Sequence, residues 1–240
     1  MGLAMSPDSS RPMLRITSFC GPPGAAPASC AMLSSCQARG FWGRVGSGIL
    51  RHHSGRVEGR ASMRIIRSSD FTEGRWRNGM GVSWDIASDP PGTDDFGWRF
   101  AIARIEADVP FSNYPLVDRI FTLIEGNGLD LAFEGHRSLA VHRRFVPHPY
   151  PCDVPTSCRL RDGPCRALNL FVRRGAWRAV ADVLSSGADL AHPGPILLFA
   201  LQGAADVNGH ALAEGDAAIA SDAITADTEG FLYAARLSPS

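Results

Sequence analysis

From Trp98 to Ile105 the chain alternates: Trp98, Phe100 and Ile102 fall on one side, Arg99, Ala101 and Ala103 on the other. A period of two marks a half-buried β-strand, whose successive side chains point to opposite faces. Further strand-like runs follow at Ile120–Glu125, Leu129–Phe133, Leu139–Phe145, Leu168–Arg173, Ile196–Leu201 and Phe231–Leu237. Between them stand Gly126-Asn127-Gly128, Asp162-Gly163-Pro164, Asn208-Gly209 and Glu214-Gly215-Asp216, residues that tolerate the backbone angles of tight turns. Ala176–Ser186 fits two patterns. Trp177, Val180, Val183 and Leu184 suit a helix ending at Gly187, whereas Trp177, Ala179, Ala181 and Val183 suit a strand. Many short strands at this spacing predict a mainly β fold, a sandwich or a closed barrel.

The stretch Gly74–Ile86 holds Asn78-Gly79, a strong hairpin signal because both residues accept positive φ. A turn does not require Trp76-Arg77 before it and Trp84-Asp85 after it. The stretch is therefore a candidate pocket edge as well as a chain reversal.

Residues 1–62 break the pattern. They carry seven Arg but only Asp8 and Glu58 as acids, with five Pro, many Ser, Gly and Ala, and no sustained apolar period. Such a stretch buries too little to order itself. An Arg- and Ser-rich, acid-poor leader fits a transit peptide, and it lacks the apolar segment of a secretory signal. A disordered tail, or a start codon upstream of a true start at Met63, fits the composition better. The expected organisation is a tail over 1–62 and a folded domain over 63–240, the domain keeping its thermal midpoint when the tail is removed.

The whole chain has 24 basic and 24 acidic residues, so bulk charge points to neither a nucleic-acid nor a membrane partner. All the basic residues are Arg, which reads as coding bias. The apolar run Ile196–Leu201 is far too short to span a bilayer, and a cytoplasmic location is expected.

Most chemistry motifs are missing. Gly81-Val82-Ser83-Trp84-Asp85 lacks the closing Gly of a nucleophile elbow, and Gly79-Met80-Gly81 continues to Trp84 where a dinucleotide fingerprint needs Gly. The seven His include no His-x-His and no His-Glu-x-x-His. Cys20, Cys30 and Cys36 fall in the tail, while Cys152, Cys158 and Cys165 are spaced more widely than the Cys pairs of zinc sites. Reduced structural thiols, no metal and no cofactor are expected. Acid pairs such as Asp94-Asp95, or Asp118 with Glu125, read as solvated carboxylates.

The arginines keep unusual company. Arg99 shares its strand face with Ala101 and Ala103, Arg119 follows Asp118 at a strand entrance, and Arg77 adjoins Asn78. A guanidinium fork matches a carboxylate in geometry and charge.

Four separated motifs occur in order: Trp76-Arg77-Asn78-Gly79-x-Gly81, Trp98-Arg99-x-Ala101-Ile102-Ala103, Phe111-Ser112-x-x-Pro115-x-x-Asp118-Arg119 and Leu123-x-x-Gly126, with Leu168-Asn169-Leu170-x-x-Arg173-Arg174 beyond them. Together they resemble the HutD/Ves family of cupin proteins. The resemblance implies an RmlC-like jelly-roll bicupin, two small β-barrels in one globule without the metal-binding histidines of catalytic cupins. It also implies an association with histidine utilisation. In two places the chain departs from the family pattern: Ala167 stands where the motif usually has Asp, and Val146-Pro147-His148-Pro149-Tyr150 matches its Pro-Phe-x-Phe segment only loosely.

The expected function is metal-free binding of a small carboxylate of the urocanate or N-formylglutamate type, in a regulator or sensor of histidine catabolism. Arg99 and Arg119 would hold the carboxylate, Asn78, Ser112 and Asn169 would orient polar groups, and Trp76 would wall the site. No catalytic residue is assigned, and homodimer formation is left open. A cofactor-independent enzyme would need a general base, for which Asp85 and Asp118 are the candidates. A stress-associated interaction protein would have a filled, apolar barrel.

Overall fold

The computed structural model describes residues 63–240, so the expectations for residues 1–62 lie outside them. Alternation along Trp98–Ile105 makes that strand two-faced, and it lies inside a six-stranded antiparallel sheet. The order across this sheet is Thr72–Arg75, Val82–Asp89, Trp98–Ile105, Cys165–Arg173, Val117–Glu125 and Pro147–Pro151. Leu139–Val141, Leu129–Phe133 and Thr156–Leu160 form a second, three-stranded sheet. The two enclose Ile105, Phe121, Leu123, Leu129, Leu131 and Val141 as the inside of an N-terminal barrel.

A C-terminal barrel repeats the plan. Its large sheet runs Met63–Ile66, Ala217–Ala220, Ile196–Gln202, Phe231–Pro239 and Trp177–Leu184. Its small sheet runs Ala188–Leu190, Ile224–Thr228, Ala205–Val207 and His210–Leu212. The interior is closed by Ile196, Leu198, Val207, Leu212 and Leu232 with Ala200, Ala218 and Ala234 between them. Trp98, Phe100, Ile102, Leu168 and Leu170 from one barrel meet Leu197, Phe199, Tyr233 and Leu237 from the other in a shared core. The fold is a mainly β bicupin.

The ambiguous Ala176–Ser186 run is the strand Trp177–Leu184, paired with Phe231–Pro239. Its Ala179, Ala181 and Val183 pack on the shared core, so alternation prevails there over the helical spacing. The expected strand over Leu139–Phe145 stops at Val141, and Phe145 adopts φ 64°, which no strand accommodates. Asn208 and Gly209, at φ 52° and 79°, make a two-residue hairpin that pairs Val207 with His210. Cys152, Cys158 and Cys165 are buried free thiols, and burial pushes Cys158 up to about 12.

Asp216 locks the start of the domain to the C-terminal barrel. Its carboxylate accepts bonds from Arg67 Nη1 at 2.7 Å, Ser68 N at 3.0 Å and Ala213 N at 3.1 Å. Burial pushes this carboxyl up, but the Arg67 guanidinium and the two amides outweigh it and hold it below the usual range. A depressed carboxyl contributes stability above its unfolded pKa and loses it as pH falls through the folded value. Thermal melts of Asp216→Asn should therefore lie about 1–2 kcal/mol below wild type at pH 7, and the two should converge only as the pH falls below the ordinary aspartate range, through the depressed value of Asp216.

Candidate ligand-binding site

The pairing register assembles the site from residues far apart in sequence. Phe171 pairs with Arg99 on one side and Arg119 on the other, and Arg119 pairs onward with Tyr150. One row across the large N-terminal sheet therefore reads Arg99, Phe171, Arg119, Tyr150. The next row reads Asp85, Ala101, Asn169, Phe121, with a bulge between Asp85 and Ala87. Both rows face the barrel interior, and small side chains at Ala101 and Ala103 leave a cavity of about 40 Å³ there. That volume holds roughly three water-sized groups.

Trp76, Arg99, Ser112, Arg119 and Asn169 all line this cavity. Asn78 does not. Its Nδ2 donates to Pro110 O at 2.8 Å, its Oδ1 accepts from Met80 N at 3.1 Å, and its backbone N donates to Ser112 Oγ at 3.3 Å. Asn78 thus ties the Trp76–Gly81 turn to the loop that carries Pro110 and Ser112, its amide bonded to Pro110 O on one side and to Met80 N on the other. The lining also includes Phe111, Tyr114, Phe121 and Phe171, none of them a site candidate in the sequence, and Ser83, which the sequence offered only as a nucleophile lacking its motif. Phe111 stood within a quoted motif, and Phe171 follows Asn169 at a spacing of two.

The two arginines differ in their surroundings. Arg99 donates from Nε at 2.8 Å and Nη2 at 2.7 Å to Asp85 Oδ1, so Asp85 is engaged as its counter-ion. Arg119 is 6% exposed and belongs to none of the ion pairs among the described residues. Its guanidinium lies 4.5 Å from the Phe171 ring centroid, 5.1 Å from Phe111 and 5.7 Å from Tyr150. Nη1 donates to Tyr150 Oη at 3.0 Å, and Nε has no protein partner. Burial pushes the Tyr150 phenol and the Cys152 thiol up, against the pull of Arg119. Both stay neutral near pH 7, so neither supplies the missing negative charge.

Asn169 adds an acceptor. Its Nδ2 donates to Ala167 O at 3.1 Å, which leaves the buried Oδ1 unpartnered. A buried guanidinium without an anion beside an orphan acceptor suits a small ligand carrying a carboxylate and a donor. Asp118 points elsewhere, pairing with Arg174 Nη1 at 2.9 Å outside the cavity. Among the described residues no three His, Cys, Asp or Glu side chains converge as a metal site would require.

Trp76 closes the mouth. Its indole Nε1 donates to Val82 O at 3.0 Å and its ring meets Phe111 edge-on at 5.7 Å. The ring lies so close over Gly81 that a Cβ there would sit 2.5 Å from it. Gly81→Ala should swing the indole off the mouth, seen as a red-shifted Trp emission and about tenfold weaker ligand binding. The fold should be kept, since the turn is exposed.

A family model described as HutD matches residues 68–234. The chain is 32% identical over 120 residues to an uncharacterized 21.2 kDa protein in the hutC 3' region of Pseudomonas putida, covering 50% of this chain and 63% of that one. It is 35% identical over 106 residues to protein Ves of Citrobacter koseri, covering 43% and 54%. It thus spans less than two thirds of the length of these two relatives. The solved structure of HutD from Pseudomonas fluorescens, in a formate condition, superposes with a TM-score of 0.68 at 25% identity, covering 75% of this chain and all of that one.

Proposed function

The chain belongs to the HutD family, and on that premise we propose that it is a metal-free cupin that binds a small carboxylate in its N-terminal barrel. Its role is to sense or regulate histidine breakdown. One observation carries the binding reading: Arg119 is a buried cation with no protein anion to balance it. Burying an unbalanced charge is costly, and a bound carboxylate offsets that cost through a charge-assisted fork. The carboxylate would lie on Arg119, with Arg99 held beside it by Asp85. Asn169 Oδ1 would accept from an N–H or a protonated oxygen, and Ser112 would serve the mouth.

The cavity volume suits an acid of formate size entirely. A longer acid such as urocanate or N-formylglutamate would extend past Trp76 and Ser112 into solvent. There it would meet Arg77, whose guanidinium lies 5.5 Å from the Tyr114 ring. The link to histidine utilisation rests on the family and on the Pseudomonas putida relative named for the hutC region. The enzymatic alternative is less well supported, since Asp85 is held by Arg99 and Asp118 by Arg174.

Calorimetric titration of the full chain with formate, N-formylglutamate, urocanate and histidine tests this reading. Saturable one-to-one binding of at least one acid is expected. No heat from any of them would refute it.

A further inference from the structure

A second concavity, about 540 Å³, lies between the barrels on the outer side of the large N-terminal sheet. That size falls in the range of small-molecule sites. Trp84, Ile102, Phe199 and Leu201 line it, joined by Phe71 and Phe145. Two features separate it from an ordinary surface hollow.

Phe145 sits at φ 64°. A bulky side chain rarely occupies this left-handed region, where glycine or asparagine would rest without strain. Its backbone N–H is held by Leu123 O at 2.9 Å and its ring packs 5.1 Å from Phe231. An aromatic ring is thus kept on the cleft wall in spite of a strained backbone, and such strain gathers at ligand-holding sites.

The second feature is the balance of charge. Arg166 lies 5.8 Å over the Trp84 ring and pairs with Glu125 at 3.3 Å. Glu214 accepts from Gly203 N at 2.9 Å. Arg144, 5.6 Å from the Phe145 ring, belongs to no ion pair among the described residues. The cleft therefore offers flat aromatic surface and one guanidinium free to take an anion.

We propose that this cleft is a second ligand site, taking a planar aromatic carboxylate with its ring on Trp84 and Phe145 and its carboxylate on Arg144. Stacking on the rings and one charge-assisted fork are the two recognition elements. The site shares no lining residue with the barrel cavity, so the proposal stands apart from the reading of Arg119.

Calorimetric titration of trans-cinnamate into the full chain and into Arg119→Met, which lacks the barrel's cation, separates the two sites. Saturable binding in both proteins is expected, with affinities within about twofold. Arg144→Gln should weaken cinnamate binding about tenfold while leaving the thermal midpoint and formate binding unchanged. Formate added only to the concentration that saturates the barrel in its own titration should leave cinnamate bound to wild type, and this gives a second measurement should Arg119→Met fail to fold. Loss of cinnamate binding in Arg119→Met or at that formate concentration, or wild-type affinity in Arg144→Gln, would overturn the proposal.

Discussion

Arg119→Met is expected to abolish carboxylate binding and, at the same time, to raise the stability of the ligand-free protein. Most substitutions at a buried, ring-packed position do the opposite. Here the wild-type side chain is a cation enclosed by Phe111, Phe171 and Tyr150 with no carboxylate partner. Met has similar length, keeps the contacts with the rings and removes the desolvated charge. A gain of about 1–2 kcal/mol, or roughly 4 °C in midpoint for a domain this size, should follow. In wild type the midpoint should rise with added formate, since a ligand that binds only the native state stabilises it. In Arg119→Met that rise should vanish. Melts of both proteins with and without formate give all four values, and a variant that melts lower than ligand-free wild type would contradict the expectation.

The second large effect lies between the barrels. Phe100 is fully buried, stacked on Tyr233 at 5.7 Å and edge-on to Phe199 at 6.4 Å. It comes from the N-terminal barrel and both partners come from the C-terminal one, so the ring joins the two halves. Phe100→Ala should cost about 3–5 kcal/mol, lowering the midpoint by roughly 10 °C. Because the neighbouring Arg99 and Ala101 form the cavity wall, ligand affinity measured well below the midpoint should change far less than stability. A midpoint within about 2 °C of wild type would mean that the shared core relaxes into the gap.

The strand faces were legible in the sequence because alternation is local. Trp98, Phe100 and Ile102 turn to the shared core, and Arg99, Ala101 and Ala103 turn to the barrel, as the period of two requires. Short strands such as Ala205–Val207 and Ala217–Ala220 were not legible, since three or four residues are too few to establish a period. The site was legible only in part. Arg99 and Arg119 look alike in sequence, yet one meets the carboxylate of Asp85 fourteen positions away and the other meets rings, a phenol and a buried thiol. That difference depends on register across strands far apart in the chain. Asn78 looked like a site residue because its amide is a good ligand for polar groups, but the same amide is a good clamp for its own turn. Tyr150 lies in the segment that matches the family pattern loosely, and pairing beside Arg119 brings its hydroxyl into contact. Both barrels carry inward alanines, and nothing in the sequence distinguishes the closed C-terminal interior from the N-terminal one that keeps a cavity.

The most direct measurement is a crystal structure of the full chain grown with the acid that gives the largest calorimetric heat. The expected result is the carboxylate of that acid inside the N-terminal barrel, within hydrogen-bond distance of Arg119 Nε, with Asn169 Oδ1 facing its donor. A carboxylate bound elsewhere on the protein, or an Arg119 neutralised by a protein side chain, would contradict it.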